Sequence, residues 1–544
     1  MTSSLDMDIH SWPPGTVLLE EQRTQDADLF LQPQPSEDPN EPLNWGSLRK
    51  HVNFGLTCLY SLLITEFLCA ATPTWGPMHD ELGFSWDILF DSYAIGCGFL
   101  GIGAVLLTPF ALKFGRRSLY LLSIVVTFCV SIWSAKMSTV ADILLINAIS
   151  CLFGALSEVI IQMTVVDIFF VHQRGRMNAI FIWTVQIGAS LGPLAAGYVT
   201  VSQGWRWVWW WNVVFFGICI ILFAFFYEET KYIPHVLGTN NEGDAVVSQT
   251  TQRKGDTEIK CTNTTSVSCA VEDPKADYHP QPKTSIVINP NIPMRSYRQR
   301  LSLATSLPGE WKAFARHAWQ PFIILVTFPG VLFVALVYGI LIALQNALST
   351  TMSSLMTEPP YNFSANQIGL MNLPLFIGVT IGSLLVGPLS DRWIVLCARR
   401  NGGIYEPESR LWLILPWIPI LLAGALTFGF GIEQGLPWPV IAVGIVLCSA
   451  GVAPINIIAL TYVTDSYNDI VGDALVGITF IRNAVNTGII FALTPWFAAI
   501  GVQYVILTLA LIATLILSFV MVFLKWGKRF REQTSVRYKK FSFK

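Results

Sequence analysis

Charged residues are scarce in this sequence. Asp, Glu, Lys and Arg make up 13% of its 544 residues, whereas hydrophobic residues make up 53%. A soluble protein has about a quarter of its residues charged, so the composition excludes a soluble fold and predicts an integral membrane protein. The net charge of −2 identifies no class of partner, because charge in a membrane protein follows topology.

Motifs that identify enzymes and pumps are also missing. The sequence has no His-rich box, no nucleotide-binding loop and no metal-ligand constellation, so we expect neither an enzyme nor an ATP-driven pump, and no cofactor, metal or nucleic acid. The ten cysteines are scattered without disulfide or metal-ligand spacing. The first fifty residues contain no apolar run of the signal-peptide type, and we expect no cleavable signal peptide.

Long apolar runs, in contrast, are frequent. A helix needs about 20 apolar residues to cross a bilayer, and the sequence offers twelve such runs in two groups of six. We therefore predict an all-α membrane protein with two six-helix bundles, residues 51–228 and 311–525. An N-terminal tail (1–50), a largely disordered linker (229–310) and a basic C-terminal tail (526–544) complete the chain. The predicted spans are 52–75, 88–111, 119–136, 142–165, 178–201, 208–227, 320–345, 366–389, 410–430, 438–462, 473–495 and 501–524.

Lysine and arginine are concentrated in the loops on one side of these spans. Cytoplasmic loops are enriched in both residues, which predicts that the two termini and the linker are cytoplasmic. One loop on that side is acidic instead, with Asp465, Asp469 and Asp473. In a loop on the other side, Asn362-Phe-Ser364 is a sequon, so Asn362 is a candidate glycosylation site. We expect a monomer in the plasma membrane, with the vacuolar membrane as the alternative.

Two glutamates lie inside predicted spans. Glu66 is fourteen residues into the first span, and Glu158 is in the fourth, with Gln162 one turn further on. A charge facing lipid costs about 3 kcal/mol or more, so both should face the protein interior. Because burial favours the neutral carboxyl, we hypothesise that at least one glutamate exchanges a proton for a cationic or amine-bearing substrate. A hydrogen bond that holds two helices together is the alternative.

One basic residue also lies inside a predicted span. Arg482, in the eleventh span, can pair with a carboxylate, bind an anionic substrate or reach the cytoplasmic headgroups; we expect a structural pair. Tyr338 and Gln345 are seven residues apart in the seventh span and share a face, and Asn456 lies in the tenth. These three are candidates for a substrate site, with helix packing as the alternative.

The fifth predicted span has a small-residue face interrupted by a proline. Glycines at positions 188, 192 and 197 allow close approach of a neighbouring backbone. Pro193 cannot donate an amide hydrogen bond to the preceding turn, which bends or loosens the helix. Together with a carboxylate in the preceding span, a helix that packs closely and bends indicates transport. The residues concerned are Gly188, Gly192, Pro193 and Gly197.

Two loops carry complementary halves of a known signature. After the second span the chain reads Thr108-Pro-Phe-Ala-Leu-Lys-Phe-Gly-Arg-Arg117, and after the eighth it reads Gly387-Pro-Leu-Ser-Asp-Arg392. Together they resemble the Gly-x-x-x-Asp-Arg-x-Gly-Arg-Arg signature of the major facilitator superfamily. The first copy has Thr108 and Leu112 in place of the signature glycine and aspartate. Each copy keeps the half that the other lacks, as expected of internal repeats.

Further motifs narrow this resemblance. Gly192-Pro193 is similar to the antiporter signature of the superfamily, and Gly204-Trp-Arg-Trp207 and Glu229-Thr230 resemble the fungal drug:proton antiporter branch, which includes cation and polyamine permeases. The branch usually has an arginine in the fourth span where this chain has Ser150. A proton-relay role for that arginine therefore does not carry over.

The resemblance implies alternating access, in which two bundles rock about a central site. It assigns Arg116, Arg117, Asp391 and Arg392 to a cytoplasmic gate, with ordinary positive-inside charge as the alternative. The expected function is proton-coupled efflux of small amphiphilic or cationic compounds, such as drugs or secondary metabolites. Proton-coupled uptake of a polyamine or other organic cation is one alternative, and a non-transporting nutrient sensor of the same fold is another.

Overall fold

The computed structural model describes residues 13–18, 36–232, 292–302, 311–401, 404–467 and 470–542. Within them, twelve helical stretches are long and apolar enough to cross a membrane, which confirms the predicted all-α membrane fold. They are called spans 1 to 12 in chain order. Their bounds are Ser47–Leu82, Trp86–Phe114, Arg116–Ala135, Val140–Ile168, Ile180–Gln203, Trp205–Phe226, Pro329–Leu355, Ala365–Ile394, Pro407–Glu433, Trp438–Ser466, Val471–Ile500 and Val502–Phe541.

Several spans are interrupted rather than continuous. Span 1 contains a 3-10 turn between two α-helices, span 9 begins with a 3-10 helix, and spans 4, 8 and 12 change helix at a single residue. The 3-10 helices are Pro42–Asn44, Thr72–Thr74 and Pro407–Ile414. The α-helices are Ser47–Cys69, Trp75–Leu82, Trp86–Phe114, Arg116–Ala135, Val140–Gly154, Leu156–Ile168, Val171–Gln203, Trp205–Phe226, Tyr297–Arg300, Trp311–Thr327, Pro329–Leu355, Ala365–Leu370, Asn372–Arg400, Trp417–Glu433, Trp438–Ser466, Val471–Ile500, Val502–Ser518 and Val520–Ser542.

A single glycine reverses the chain between some consecutive spans. Gly115 separates spans 2 and 3 with φ 103°, and Gly204 separates spans 5 and 6 with φ 97°. Positive φ is unfavourable for residues with a Cβ atom, so glycine at these positions allows two long helices to follow each other almost directly. The resulting tight turns hold these pairs of spans side by side.

Spans 1–6 and spans 7–12 each enclose a hydrophobic core. Tyr60 and Tyr120 are fully buried in the first core, with ring centroids 5.0 Å apart, and Leu344 is fully buried in the second. Phe90 and Ala94 of span 2 belong to the core of the second half. The two bundles therefore share buried surface.

Glycines line two of the contacts between the halves. Span 2 packs on span 11, where a Cβ at Gly101 would lie 3.1 Å from the Cβ of Asn483. Span 5 packs on span 8, where a Cβ at Gly197 would lie 2.5 Å from the Ala365 carbonyl oxygen. The small-residue face of span 5 thus permits close contact with the other half, as its pattern suggested.

The described parts of both chain ends lie at the same face of the helical body. Tyr232, after span 6, donates a hydrogen bond to Asp38, before span 1, at 2.9 Å. In the second half, Arg531 pairs with Glu408 at the start of span 9. We call this side the terminal face and the opposite side the far face.

Parts of the predicted N-terminal tail (1–50) and of the predicted linker (229–310) have regular structure. Span 1 already begins at Ser47, and β1 (Val17–Leu18) pairs antiparallel with β2 (Ile404–Tyr405). Residues 292–302 include a short helix on the first half, where the Tyr297 hydroxyl donates to the carbonyl of Phe225. Linker residues 233–291 and 303–310 lie outside the described residues.

The ends of the second half also differ from the prediction. The predicted seventh span (320–345) crosses a break at Phe328, because a proline at position 329 begins a new helix that runs to Leu355. The predicted basic tail (526–544) belongs largely to a helix, Val520–Ser542. Its buried residues recur at helical spacing, which single-residue hydropathy does not reveal. They are Val520, Phe523, Gly527, Arg531 and Thr534.

Candidate functional site

A charged pair joins the two halves inside the protein. Arg482 of span 11 donates from Nη2 to Oε2 of Glu158 in span 4. Only 6% of the surface of Arg482 is exposed, so the pair is largely removed from solvent. Arg482 therefore forms the carboxylate pair that the sequence favoured and does not extend to a membrane surface.

Tyr338 of span 7 lies beside this pair. The guanidinium carbon of Arg482 lies 5.2 Å from the centroid of the Tyr338 ring, within the range of a cation–π contact. The Nε atom of Arg482, the amide nitrogen of Asn483 and the amide oxygen of Asn486 are buried without a hydrogen-bond partner in the described part of the chain. The site thus has polar groups available for a further ligand or for water.

Small apolar residues of the same spans also pack across the boundary between the halves. Ala104 of span 2, Ala155 and Val159 of span 4, and Val476 of span 11 form one buried cluster across the boundary between the halves. A low-polarity environment strengthens the attraction between opposite charges and makes an unpaired charge costly. Glu158 and Arg482 are consequently coupled: neither remains charged and buried at low energy without the other or a substitute ion.

Glu66 lies in a different environment, within the first half. Its Oε1 accepts a hydrogen bond from the Asn212 side chain of span 6 at 3.3 Å. Its Oε2 is buried and has no hydrogen-bond partner in the structure as described, and none of the described basic side chains pairs with it. The carboxyl of Glu66 thus has an amide partner and no cationic partner among the described residues.

Span 5 closes the space around Glu66. A Cβ at Gly192 would lie 2.8 Å from the Cγ of Glu66, and one at Gly188 would lie 2.6 Å from the carbonyl oxygen of Leu62. Pro193 follows directly inside the same helix. The glycines of span 5 therefore have two functions in the packing, since they also face span 1 beside the carboxyl.

The remaining predicted polar residues do not gather at one point. Gln345 lines a small internal cavity between spans 7, 8 and 10, together with Asn372 and Ser449. Asn456 is half-buried with its amide oxygen unpartnered, and Gln162 is half-buried one turn beyond Glu158. The structure brings Glu158, Arg482 and Tyr338 into contact, whereas from the sequence each of them was a separate candidate.

The signature arginines of the first half connect neighbouring helix ends. Oε1 and Oε2 of Glu229 accept the backbone amides of Arg116 (2.9 Å) and Arg117 (3.1 Å), a favourable position for a carboxylate at a helix N-terminus. Arg116 Nε pairs with Asp167 at 3.1 Å, and Arg117 Nη2 donates to the Ala224 carbonyl at 2.7 Å. Glu229 and Asp167 thus supply the negative charge that Leu112 does not.

The other predicted surface residues are exposed or lie outside the description. Arg392 is exposed at the terminal face, and the side chain of Asp391 lies outside the described residues. Asn362 is exposed in the far-face loop before span 8, with φ 49°. Its exposure leaves the sequon accessible, on the face opposite the chain termini.

The sequence reading missed Asn212, the partner of Glu66. A lone amide in an otherwise apolar, Trp-rich span was the available signal, since polar side chains inside membrane helices usually bond across to a neighbouring helix. The capping role of Glu229 was not predicted either, because no spacing pattern in the sequence relates Glu229 to Arg116 and Arg117.

Two pseudo-equivalent bundles with a charged pair at their boundary define a membrane transporter. The model of the Major Facilitator Superfamily matches residues 86–394, more than half of the chain. The uncharacterized MFS-type transporter C1271.10c of Schizosaccharomyces pombe is 32% identical over 96% of this chain and 94% of that protein. Protein HOL1 of Saccharomyces cerevisiae is 30% identical over 94% of this chain and 91% of its own length. The chain belongs to the Major Facilitator Superfamily.

A solved structure has the same fold. The xylose transporter XylE from E. coli, in a partially occluded inward-open conformation, aligns with a TM-score of 0.55 at 11% identity, over 88% of this chain and 98% of that one. Membership and fold make this protein a secondary transporter of small molecules and not an enzyme.

Proposed function

We propose that this protein is a proton-coupled exporter of small organic cations or cationic amphiphiles. In this proposal it works in the plasma membrane as a monomer, with the terminal face in the cytoplasm, as the positive charge of the terminal-face loops supports. One observation carries the proposal: Glu158 is paired with a cation at the boundary of the halves, whereas Glu66 is buried without one.

Glu66 is the proposed proton carrier. Asn212 satisfies one carboxyl oxygen, which leaves Oε2 as the atom that holds the proton. The proton leaves when water or a cation reaches Oε2 and stabilises the charged form. Because Gly192 closes the space beside Glu66, movement of span 5 against span 1 would open that route.

Glu158 is the proposed partner of the substrate cation. A carboxylate beside an aromatic face is chemistry that recognises an ammonium or guanidinium group. In the structure this place is filled by the guanidinium of Arg482. A substrate cation would compete with Arg482 for Glu158 and Tyr338, and the displaced guanidinium of Arg482 would need another partner during the exchange.

The direction of transport is proposed from span 5. The Gly192-Pro193 pattern resembles the antiporter signature, and its contact with Glu66 would link proton release on one side to rearrangement of that span. In this proposal, the inward proton gradient drives export of the substrate. Proton-coupled uptake of a polyamine uses the same residues with the opposite coupling, and a nutrient sensor would move no substrate.

The test uses the full-length protein in liposomes that contain a pH-sensitive dye. Spermidine and tetraphenylphosphonium are the probe cations, and proton gradients of either sign are imposed. We expect cation movement opposite to the proton flux. We expect Glu66→Gln to bind both probes but lose gradient-driven transport, and Glu158→Gln to weaken binding itself. Glu532→Gln, an exposed residue at the terminal face, is the matched control and should behave as wild type.

Three results would contradict the proposal. Movement of probe and protons in the same direction would replace export by uptake. Wild-type coupling in Glu66→Gln would remove this residue as the proton carrier. If neither probe binds or moves while an organic anion does, the substrate class is wrong and Arg482 is its binding residue.

A further inference from the structure

The N-terminal segment, residues 13–18, is bound to the second half although it precedes the first. Its strand β1 pairs with β2, with Val17 opposite Tyr405 and Leu18 opposite Ile404. Adding a strand to a free edge satisfies backbone groups that otherwise face water. The segment therefore has a specific binding place on the terminal face.

Arg531 forms the centre of this binding place. Its side chain is fully buried, and its Nε and Nη2 atoms donate to the two carboxylate oxygens of Glu408 at 2.8 and 2.6 Å. Its remaining nitrogen, Nη1, donates to the carbonyl of Pro14 at 2.5 Å and to the hydroxyl of Thr16 at 3.1 Å. The N-terminal segment thus completes the hydrogen bonding of a buried arginine, and its removal would leave donors unsatisfied.

Gly15 fits the segment against the end of span 10. It has φ +84°, and a Cβ there would lie 2.5 Å from the carbonyl oxygen of Asp465 and 2.8 Å from the Cα of Ser466. Both conditions require glycine. Close packing here brings the segment onto the last turn of span 10.

The β2 loop is tied to the same end of span 10. The hydroxyl of Tyr405 donates to Asp465 at 2.6 Å, and Arg410 Nε pairs with Asp465 at 2.9 Å. Burial, together with the neighbouring Asp465 carboxylate, holds the pKa of Tyr405 well above its usual range, so the phenol remains a donor. Four elements meet here: the N-terminal segment, the β2 loop, the end of span 10 and the C-terminal helix.

We propose that residues 13–18 are a latch that holds the terminal-face end of span 10 against the β2 loop and the C-terminal helix. Span 10 has Pro454 in its interior, and a proline loosens a helix, so the part beyond it can move as a unit. The latch restrains that unit, and its release frees the terminal-face end of the second half to move. This is a conformational device built from the chain's own N-terminus, and it does not depend on the proposed substrate or proton coupling.

Hydrogen–deuterium exchange on the full-length protein tests the latch. Gly15→Val prevents the segment from binding while leaving the membrane helices unchanged. We expect amides of residues 458–467 and 404–410 to exchange about tenfold faster, the change expected from the loss of one or two net hydrogen bonds, while the first half is unaffected. Gly46→Ala is the matched control, because a Cβ at Gly46 meets nothing within 4 Å. It should exchange as wild type.

A second variant is needed in case the segment still binds after the Gly15→Val substitution. Deletion of residues 2–18 should reproduce the faster exchange of Gly15→Val. If exchange at 458–467 is unchanged in both variants, the segment does not restrain span 10 and the proposal is overturned. Faster exchange spread equally over both halves would also overturn it, because the effect would then be general destabilisation.

Discussion

At the scale of single residues, the two membrane carboxylates differ in what surrounds them. Glu158 has a permanent cation in Arg482, whereas Glu66 has an amide and one unpartnered oxygen. The same side-chain chemistry is therefore held in two different environments. A carrier that couples two ions needs such a difference, since one site must keep its charge while the other gives up a proton.

The buried pair predicts a non-additive effect on stability. Arg482→Met leaves the half-buried Glu158 without its partner and should destabilise the protein, by less than the about 3 kcal/mol typical of a fully buried pair. Adding Glu158→Gln removes the orphaned charge, so the double variant should be more stable than Arg482→Met alone. Thermal unfolding of purified variants in one detergent measures this. A destabilisation of the double variant equal to the sum of those of Arg482→Met and Glu158→Gln would show that the two side chains are not energetically coupled.

At the scale of elements, span 5 is defined by what it lacks. Gly188 and Gly192 face span 1, and Gly197 faces span 8. Span 5 therefore has glycine where it contacts a helix of each half. This arrangement explains why a glycine pattern in the sequence indicated close packing but could not identify the partners.

Enlarging Gly192 should reduce transport. Gly192→Ala places a methyl group 2.8 Å from the Cγ of Glu66, which must displace the carboxyl or the helix. We expect transport of the active probe to fall at least tenfold. Gly488→Ala, in span 11, meets nothing within 4 Å and should transport normally. Full activity in Gly192→Ala would contradict a close-packed span 5.

The cap at the start of span 3 gives a second prediction at this scale. Glu229→Gln keeps one acceptor but loses the charge at the helix N-terminus, which should lower stability by about 1 kcal/mol and lower the unfolding temperature by a few degrees. Asp80→Asn, an exposed far-face control, should not change it. An unfolding temperature equal to wild type in Glu229→Gln would show that Glu229 contributes no net stability as a cap.

At the scale of the whole molecule, the two halves meet through spans 2 and 11, through spans 5 and 8, and through the Glu158–Arg482 pair of spans 4 and 11. Transport by rocking requires that these contacts slide or separate in each cycle. A Cβ at Gly98 would lie 3.4 Å from the Thr487 hydroxyl, a separation suited to a disulfide.

A covalent link at that point should stop the cycle. The double variant Gly98→Cys and Thr487→Cys should transport when reduced and lose transport when oxidised, with recovery on adding dithiothreitol. Each single variant should be insensitive to oxidation. Undiminished transport by the fully oxidised double variant would mean that spans 2 and 11 stay together throughout the cycle.

The sequence by itself determined the twelve spans, their division into two halves and the presence of charge inside them. These features are local, because hydropathy over about 20 residues decides whether a helix crosses a bilayer and a buried charge is identified by its flanking apolar residues. The structure of the two chain ends was predicted less well. The buried face of the C-terminal helix and the binding of residues 13–18 depend on surfaces that other parts of the chain supply.

Only the tertiary structure decided which charged and polar groups meet. Glu158 and Arg482 are 324 residues apart in sequence, and Glu66 and Asn212 are 146 apart. No periodicity relates residues on different helices, since partners are fixed by which faces turn toward each other when the bundles pack. Hydropathy placed these side chains at membrane depth, and packing of the helices gave Glu158 a cationic partner and Glu66 an amide partner.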